Sequence, residues 1–276
     1  MSLQFCFLAS GSSGNCTVVR TPGGVMLIDA GIGPRTAARR MSGTGVRPGD
    51  VSAICLTHLD RDHFNLNWVD AVVRRGIEVF CHRSRVGDLA RIAGDAEFAK
   101  LLRPFGEAPF EPVLGLSCCG IDLAHDVDGS QGFVFEGFGY RAGFATDLGH
   151  VPGHLVERFE GVNLLALESN YDPEMQRASG RPWFLKQRIM GGRGHLSNEQ
   201  ALSAVRAVLD RARRLPDHIV LLHRSRECNC PKLVRALFQR DARIAPRLTL
   251  AEQDRRTEWL GTEGAVGIGE QLLLAW

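Results

Sequence analysis

The chain has 276 residues, 44% hydrophobic and 23% charged, the make-up of an ordinary globular protein able to bury a sizeable core. Its apolar runs are strand-sized, which excludes a transmembrane helix, and the start, Met1-Ser2-Leu3-Gln4-Phe5, shows no basic leader, so no secretory signal is expected. The net charge of +2 hides an asymmetry: residues 181–256 hold 17 Lys/Arg against 7 Asp/Glu, and the remainder 16 against 24.

A basic C-terminal segment on an otherwise acidic chain suggests a polyanionic partner, although Arg206, Arg211, Arg213 and Arg214 also fit the solvated outer face of a helix. Eight cysteines are scattered, with Cys118-Cys119 and Cys228-Asn229-Cys230 the closest. No pair has zinc-finger spacing. They read as reduced thiols in a cytoplasmic protein. No Pro/Gly/Ser linker or low-complexity run divides the chain, so one domain is expected over residues 1–276.

In chain order, Leu3–Ala9, Thr17–Arg20 and Val25–Asp29 read as short strands separated by Ser/Gly/Asn and Pro/Gly turns. Pro34 suits the first turn of a helix over 34–41. Val51–Leu56 is a buried strand, and Asn65–Arg75 a helix with Trp68, Ala71 and Val72 at helical spacing. Glu78–His82 is a strand and Val86–Ala93 a helix. From 113 to 146 the pattern changes to successive antiparallel strands, 113–117, 120–125, 132–138 and 141–146, with glycines at the corners. Leu164–Glu168 is an apolar strand and Trp183–Met190 a helix. Ser197-Asn198-Glu199-Gln200 is a capping box that opens a helix to Arg213. His218–Leu222 is a buried strand, Pro231–Gln239 a helix, and 248–252 with 258–260 a closing pair of strands. Strands followed by alternating helices, twice over, predict two packed sheets with helices on both outer faces.

The chemistry concentrates after the strand 51–56. Thr57-His58-Leu59-Asp60-Arg61-Asp62-His63-Phe64 places two imidazoles and two carboxylates within six positions. Neutral imidazole and ionised carboxylate are common ligands of Zn, Mn and Fe. On an extended backbone His58 and Asp60 point one way, while the adjacent Asp62 and His63 diverge, so one loop can feed two centres. A loop whose His and Asp merely pair with each other is the competing reading. His125, Asp147 and His223 each close another strand, where sites are commonly built.

The order Asp29, His58/Asp62/His63, His125, Asp147, His223 resembles the metallo-β-lactamase superfamily, whose motifs run Asp, HxHxDH, His, Asp, His. The stretches 8–15, 168–172, 194–198 and 222–229 resemble its bacterial YycJ/WalJ-like hydrolase branch. The resemblance covers about residues 8–240. It implies an α/β (α+β) four-layer αββα sandwich and phosphodiester hydrolysis, including exonuclease action, on DNA or RNA. It also implies two divalent metal ions. His58, Asp60 and His125 would hold the first, Asp62, His63 and His223 the second, with Asp147 between them. Asp62 would also orient the nucleophile. Asp60 departs from the family's histidine, and a carboxylate there moves metal preference from Zn toward Mn, Fe or Mg. Asp29 is expected to hold the loop backbone or a ligand imidazole, and Glu168 and Asn170 to support the site floor. His195, just ahead of the capped helix, is expected at a phosphate, with Lys186, Arg188, Arg193, Arg224 and Arg226 as phosphate contacts. His82, His150, His154 and His218 are not expected as ligands. Hydrolysis of small esters, thioesters or lactones, iron oxygenase chemistry on a two-His, one-carboxylate face, and nucleic-acid binding by a degraded site are the competing functions.

Overall fold

The computed structural model describes residues 3–261. Its first half is a meander of β1 (Gln4–Ala9), β2 (Cys16–Thr21) and β3 (Gly24–Ile28), then α1 (Pro34–Met41), β4 (Val51–Cys55), α2 (Val69–Arg75), β5 (Glu78–His82), α3 (Val86–Ala93), α4 (Ala96–Lys100) and β6 (Leu102–Phe105). Its second half opens on another meander, β7 (Phe110–Val113), β8 (Leu116–Leu123), β9 (Ser130–Gly137) and β10 (Tyr140–Ala145). There follow α5 (Gly153–Arg158), β11 (Leu164–Glu168), α6 (Pro173–Ala178), α7 (Trp183–Met190), α8 (Asn198–Arg211), β12 (His218–Leu222), α9 (Pro231–Phe238), β13 (Leu248–Leu250) and β14 (Leu260–Gly261).

The first half, completed by β14, makes one seven-stranded mixed sheet, and β7–β13 make the other. The orders are β14-β1-β2-β3-β4-β5-β6 and β13-β12-β11-β10-β9-β8-β7. Strands that hairpins connect pair antiparallel, and strands that helices connect pair parallel, as short and long connections require. The sheets face each other across Phe5, Phe7, Met26, Ile28, Phe80, Phe133, Phe135 and Phe144. Phe7 stacks on Phe144 at 6.4 Å and Phe5 meets Phe135 at 6.2 Å, so aromatic rings, each contributing large buried area, key the two layers together. Trp68, Val72, Leu89 and Phe98 cover the outer face of the first sheet. Leu155, Leu202, Val205, Val234 and Phe238 cover that of the second. This is the αββα metallo-β-lactamase architecture.

Two expectations change. The segments 113–117 and 120–125 are not two strands. The turn falls at Leu114-Gly115, where Gly115 has φ +77°, and β8 runs unbroken through Cys118, Cys119 and Gly120 opposite Phe135, Val134 and Phe133. The two tail strands do not pair with each other. β13 adds to β12 and β14 to β1, covering one open edge of each sheet. The short elements α4, β6 and α6 were not anticipated as helices or strands, whereas α5 forms where His154 was expected on a helix. Among the described residues, no helix is long and apolar enough to cross a membrane.

Candidate metal centre

The centre is built at strand ends. Asp29 follows β3 and takes φ +58°, Asp147 follows β10 at φ +54°, and His223 follows β12 at φ +50°. Three of the five non-glycine residues with positive φ among the described residues therefore carry site groups. Left-handed backbone costs energy for such residues and persists where surrounding bonds over-determine it. Here they do: His223 N donates to Ser10 Oγ at 2.8 Å, and Leu148 N to Glu168 Oε2 at 3.0 Å.

The loop after β4 is a turn rather than an extended segment. The amides of His63 and Phe64 both donate to the Asp60 carbonyl, at 2.8 and 2.9 Å. Asp62 and His63 consequently converge instead of diverging. Their donor atoms and one of His223 lie within 4.8 Å of one another, while those of His58, Asp60 and His125 form a second such group. His58, His63 and Asp147 form a third, linking the two. Asp147 Oδ2 is 3.1 Å from His63 Nε2, and its Oδ1 is 3.0 Å from His223 Nδ1 and 3.9 Å from His125 Nε2. All seven residues expected as ligands thus come together.

Four of the imidazoles are oriented through Nδ1, which leaves Nε2 for the centre. His63 Nδ1 donates to Asp29 Oδ2 at 2.7 Å, and His125 Nδ1 to the Gly194 carbonyl at 3.0 Å. His195 Nδ1 meets Glu168 Oε1 at 2.7 Å, and His58 Nδ1 meets Thr57 Oγ1 at 3.0 Å. Such partners fix the ring and raise its basicity as a ligand. Asp29, fully buried, also accepts from Thr57 N at 2.8 Å and Thr57 Oγ1 at 3.0 Å, so it holds both loop backbone and ligand imidazole, as expected. Glu168, likewise fully buried, sits beneath His195 and His223. Asn170 donates to the His223 carbonyl at 2.7 Å.

Sequence reasoning gave no role to Ser10, Asn15 and Thr57. Asn15 Nδ2 lies 2.9 Å from His63 Nε2, and its amide donates to the Asp62 carbonyl at 2.7 Å. A side chain at Gly31 would come within 1.7 Å of that same carbonyl, so glycine there lets the ligand loop pack down. The motif 8–15 is therefore a brace for the loop 57–64. In the sequence, Ser10 and Asn15 were marked by their place at a turn and by the resemblance of 8–15 to the hydrolase branch, and Thr57 only by standing next to His58.

Burial and charge show what the cluster fits. Burial and the neighbouring His63 hold the His58 pKa well below the ordinary imidazole value. Burial also opposes charge on His63 and His223, but Asp147, with Asp29 beside His63, outweighs it and raises both well above that value. Against the same burial, His223 and His63 keep Asp147 ionised. Buried His58 Nε2 has no hydrogen-bond partner, and buried His223 Nδ1 faces only the Asp147 and Glu168 carboxylates, without a well-aligned hydrogen bond. Orphaned ring nitrogens among ionised carboxylates want cations, and the donor set of imidazole and carboxylate fits divalent metal.

Two clefts flank the centre. One, about 990 Å³, is lined by His58, Asp60, His125, Arg85, Arg188 and Arg193 among others. The other, about 430 Å³, is lined by His195, His223, Asn170, Arg181 and Arg188 among others. Arg85 Nη1 pairs with Asp128 at 2.6 Å, and Arg188 Nε with Asp126 Oδ1 at 2.9 Å, so an arginine from each half pins the turn 125–129. Arg193 Nη1 donates to the Asp126 carbonyl at 3.4 Å. Elsewhere the basic segment is partly occupied. Lys186 Nζ donates to the Arg177 carbonyl, Arg226 pairs with Asp254, and Arg206, Arg211, Arg214 and Arg243 pair with nearby acids. Arg224 points away, donating to Ala251. His150 lines the larger cleft bonded to Gly192, and His82 bonds Ser84. Neither joins a ligand group, and nor do His154 and His218.

A family model described as a beta-lactamase superfamily domain matches residues 25–219. The chain belongs to that superfamily. It is 28% identical over 237 residues to the exodeoxyribonuclease YycJ of Bacillus anthracis, covering 85% of this chain and 87% of that protein. It is 27% identical over 238 residues to the exodeoxyribonuclease WalJ of Streptococcus pneumoniae, covering 84% and 86%. Among solved structures, a diphosphatase of the PhnP family superposes with TM-score 0.67 at 15% identity, covering 94% of this chain and 98% of that one.

Proposed function

We propose that this protein is a metal-dependent phosphodiesterase acting as a deoxyribonuclease, with two divalent ions in a single metallo-β-lactamase-like domain. His58, Asp60 and His125 hold one ion, Asp62, His63 and His223 the other, and Asp147 lies between them. The observation that carries this reading is Asp147, which shares one ligand group with His58 and His63 and another with Glu168, His195 and His223, beside a buried His58 Nε2 that has no hydrogen-bond partner. The exodeoxyribonuclease relatives support DNA as substrate. When bound, such ions acidify a water toward neutral pKa and neutralise phosphoryl charge.

The chain's own residues supply the rest. Asp62, a quarter exposed, is the carboxylate placed to orient the attacking water. His195, anchored on Glu168, keeps Nε2 for a phosphate oxygen in the smaller cleft. Arg188 and Arg193 present positive charge along the larger one. Asp60, about half exposed, makes the first site harder and more open, which favours Mn or Fe over Zn. A cytoplasmic setting agrees with eight free cysteines.

The test is degradation of end-labelled single- and double-stranded DNA by protein loaded with Mn, Mg or Zn. Cleavage that His58→Ala removes supports the reading. Turnover of a lactone or thioester with no cleavage of any polynucleotide would overturn it.

A further inference from the structure

Helix α7 carries two large aromatic side chains in water. Trp183 is 75% exposed and Phe184 68%. A soluble surface seldom leaves two adjacent aromatic rings bare without a use. Their place on the helix gives the use. Gln187, Arg188, Gly191, Gly192 and Arg193 line the larger cleft. Residues four apart share a helix face, so Trp183 stands one turn outward from Gln187, and Phe184 one turn outward from Arg188. Helical side chains also lean toward the N-terminus, which carries both rings further from the metal centre along the same wall. The facing lip, the turn 125–129, exposes Val127 by 90%. The mouth is thus apolar at its rim, while its interior carries Arg85, Arg188, Arg193 and, at the floor, the ligands.

Charge decides the occupant. Residues 181–193 contain Arg181, Lys186, Arg188 and Arg193 and no acid. Arg181 and Arg188 pair with Glu227 and Asp126. Lys186 and Arg193 bond only backbone carbonyls, so their charges keep no carboxylate partner among the described residues. Exposed rings beside unneutralised cations match a polyanion with flat apolar faces, which is unpaired nucleic acid: phosphates meet the cations and bases stack on the rings. Bases inside a duplex cannot offer those faces.

Resting on the nuclease reading above, we propose that Trp183 and Phe184 form a stacking platform for an unpaired segment of the DNA strand, holding it along the larger cleft with its scissile phosphate at the metal centre. The enzyme would then engage single strands, overhangs or frayed ends and discriminate against blunt duplex.

The experiment measures affinity of metal-loaded full-length protein for cleavage-resistant phosphorothioate oligothymidylates of rising length, for blunt duplex and for duplex with an overhang, by fluorescence anisotropy. Wild type should gain affinity as the oligonucleotide grows long enough to reach the rings. In W183A/F184A that gain should fall by about five- to a hundredfold, from stacking energies per base. W183F/F184Y should keep most of it, which separates stacking from misfolding. Equal length dependence in wild type and W183A/F184A overturns the platform even if DNA is cut. Wild-type binding with the predicted length dependence, but no cleavage of any DNA, sinks the nuclease reading and leaves the platform standing. Sedimentation showing a dimer that W183A/F184A dissolves assigns the rings to a second copy and also overturns the proposal.

Discussion

Asp29 and Asp147 occupy corresponding places in the two halves. Each follows the last strand of an antiparallel meander, each has a left-handed backbone, at φ 58° and 54°, and each is buried, at 0% and 2% exposure. Their surroundings differ. Asp29 faces Thr57 and the Nδ1 side of His63, and both its oxygens are used within the protein. Asp147 faces the ring nitrogens of His63, His223 and His125 around a common point. The same residue at the same place is a brace in one half and, in the proposed centre, a candidate ligand in the other. What decides is whether the opposing side chains close on the carboxylate or leave it facing a shared space.

Asp147→Ala is the largest break in that comparison. It removes the group common to both ligand sets, so turnover should fall to background and elemental analysis should find both metal equivalents reduced. Retention of two equivalents would show that Asp147 is no ligand. Asp29→Asn is the intermediate case. The amide still accepts from Thr57 but no longer fixes the His63 tautomer as an anion does, so metal affinity should drop about 10- to 100-fold with metal recoverable at high concentration. The two variants, compared by metal titration, should differ in kind: stoichiometry for Asp147, affinity for Asp29. If Asp29→Asn loses stoichiometry as well, the brace and ligand roles collapse into one.

Asp60 sharpens the contrast within the loop itself. Asp60→His exchanges hard oxygen for imidazole and removes one negative charge, so competitive loading with Mn and Zn should move the bound ratio toward Zn. Equal ratios in the two proteins would place Asp60 outside the metal's reach. The effect should be smaller than either of the above, since Asp60 is about half exposed and water can replace it.

The two halves were also unequally legible. His58, Asp60, Asp62 and His63 sit within one turn, so their chemistry is visible as a local cluster. His125, Asp147 and His223 are isolated in the chain and gain meaning only once β8, β10 and β12 lie in one sheet. The motif order of a known superfamily supplied that order before the structure did. The bracing residues were not legible. Ser10, Asn15 and Thr57 act through hydrogen bonds that span 213, 47 or 28 positions, and no periodicity encodes such bonds. Strand and helix identity came through where the apolar periodicity was long, as in α8, or the apolar run unbroken, as in β12. It failed at α4 and α6, six residues or fewer, where the pattern completes less than two turns. The positive segment 181–256 was real in composition, but ion pairs within the protein occupy eight of its 17 cations, and charge counting cannot see pairing.

The smallest expected effect tests what survives of that charge. Arg188 holds Asp126 through Nε and Nη2, with 61% of its side chain exposed. Ion pairs this exposed contribute about 0–1 kcal/mol, so a phosphate entering the larger cleft displaces Asp126 at little cost. Arg188→Ala removes that contact and leaves Asp126 unpaired beside the path of a polyanion. The logarithmic salt dependence of DNA binding should become shallower by about one contact, a slope change near 0.7–0.9, with weakening spread evenly across sequences. Asp126→Asn should act in the opposite direction, because it frees Arg188 and removes a repelling charge: affinity should rise. Arg85→Ala gives the matching measurement for the first half, since Arg85 holds Asp128 of the same turn from the other side. Equal slope changes for Arg85 and Arg188 would mean that the strand runs between the two lips. A change at Arg188 alone would place the strand against the second half, on the wall that α7 extends. No change at either would remove both from the path and leave Lys186, Arg193 and His195 as the phosphate contacts to test next.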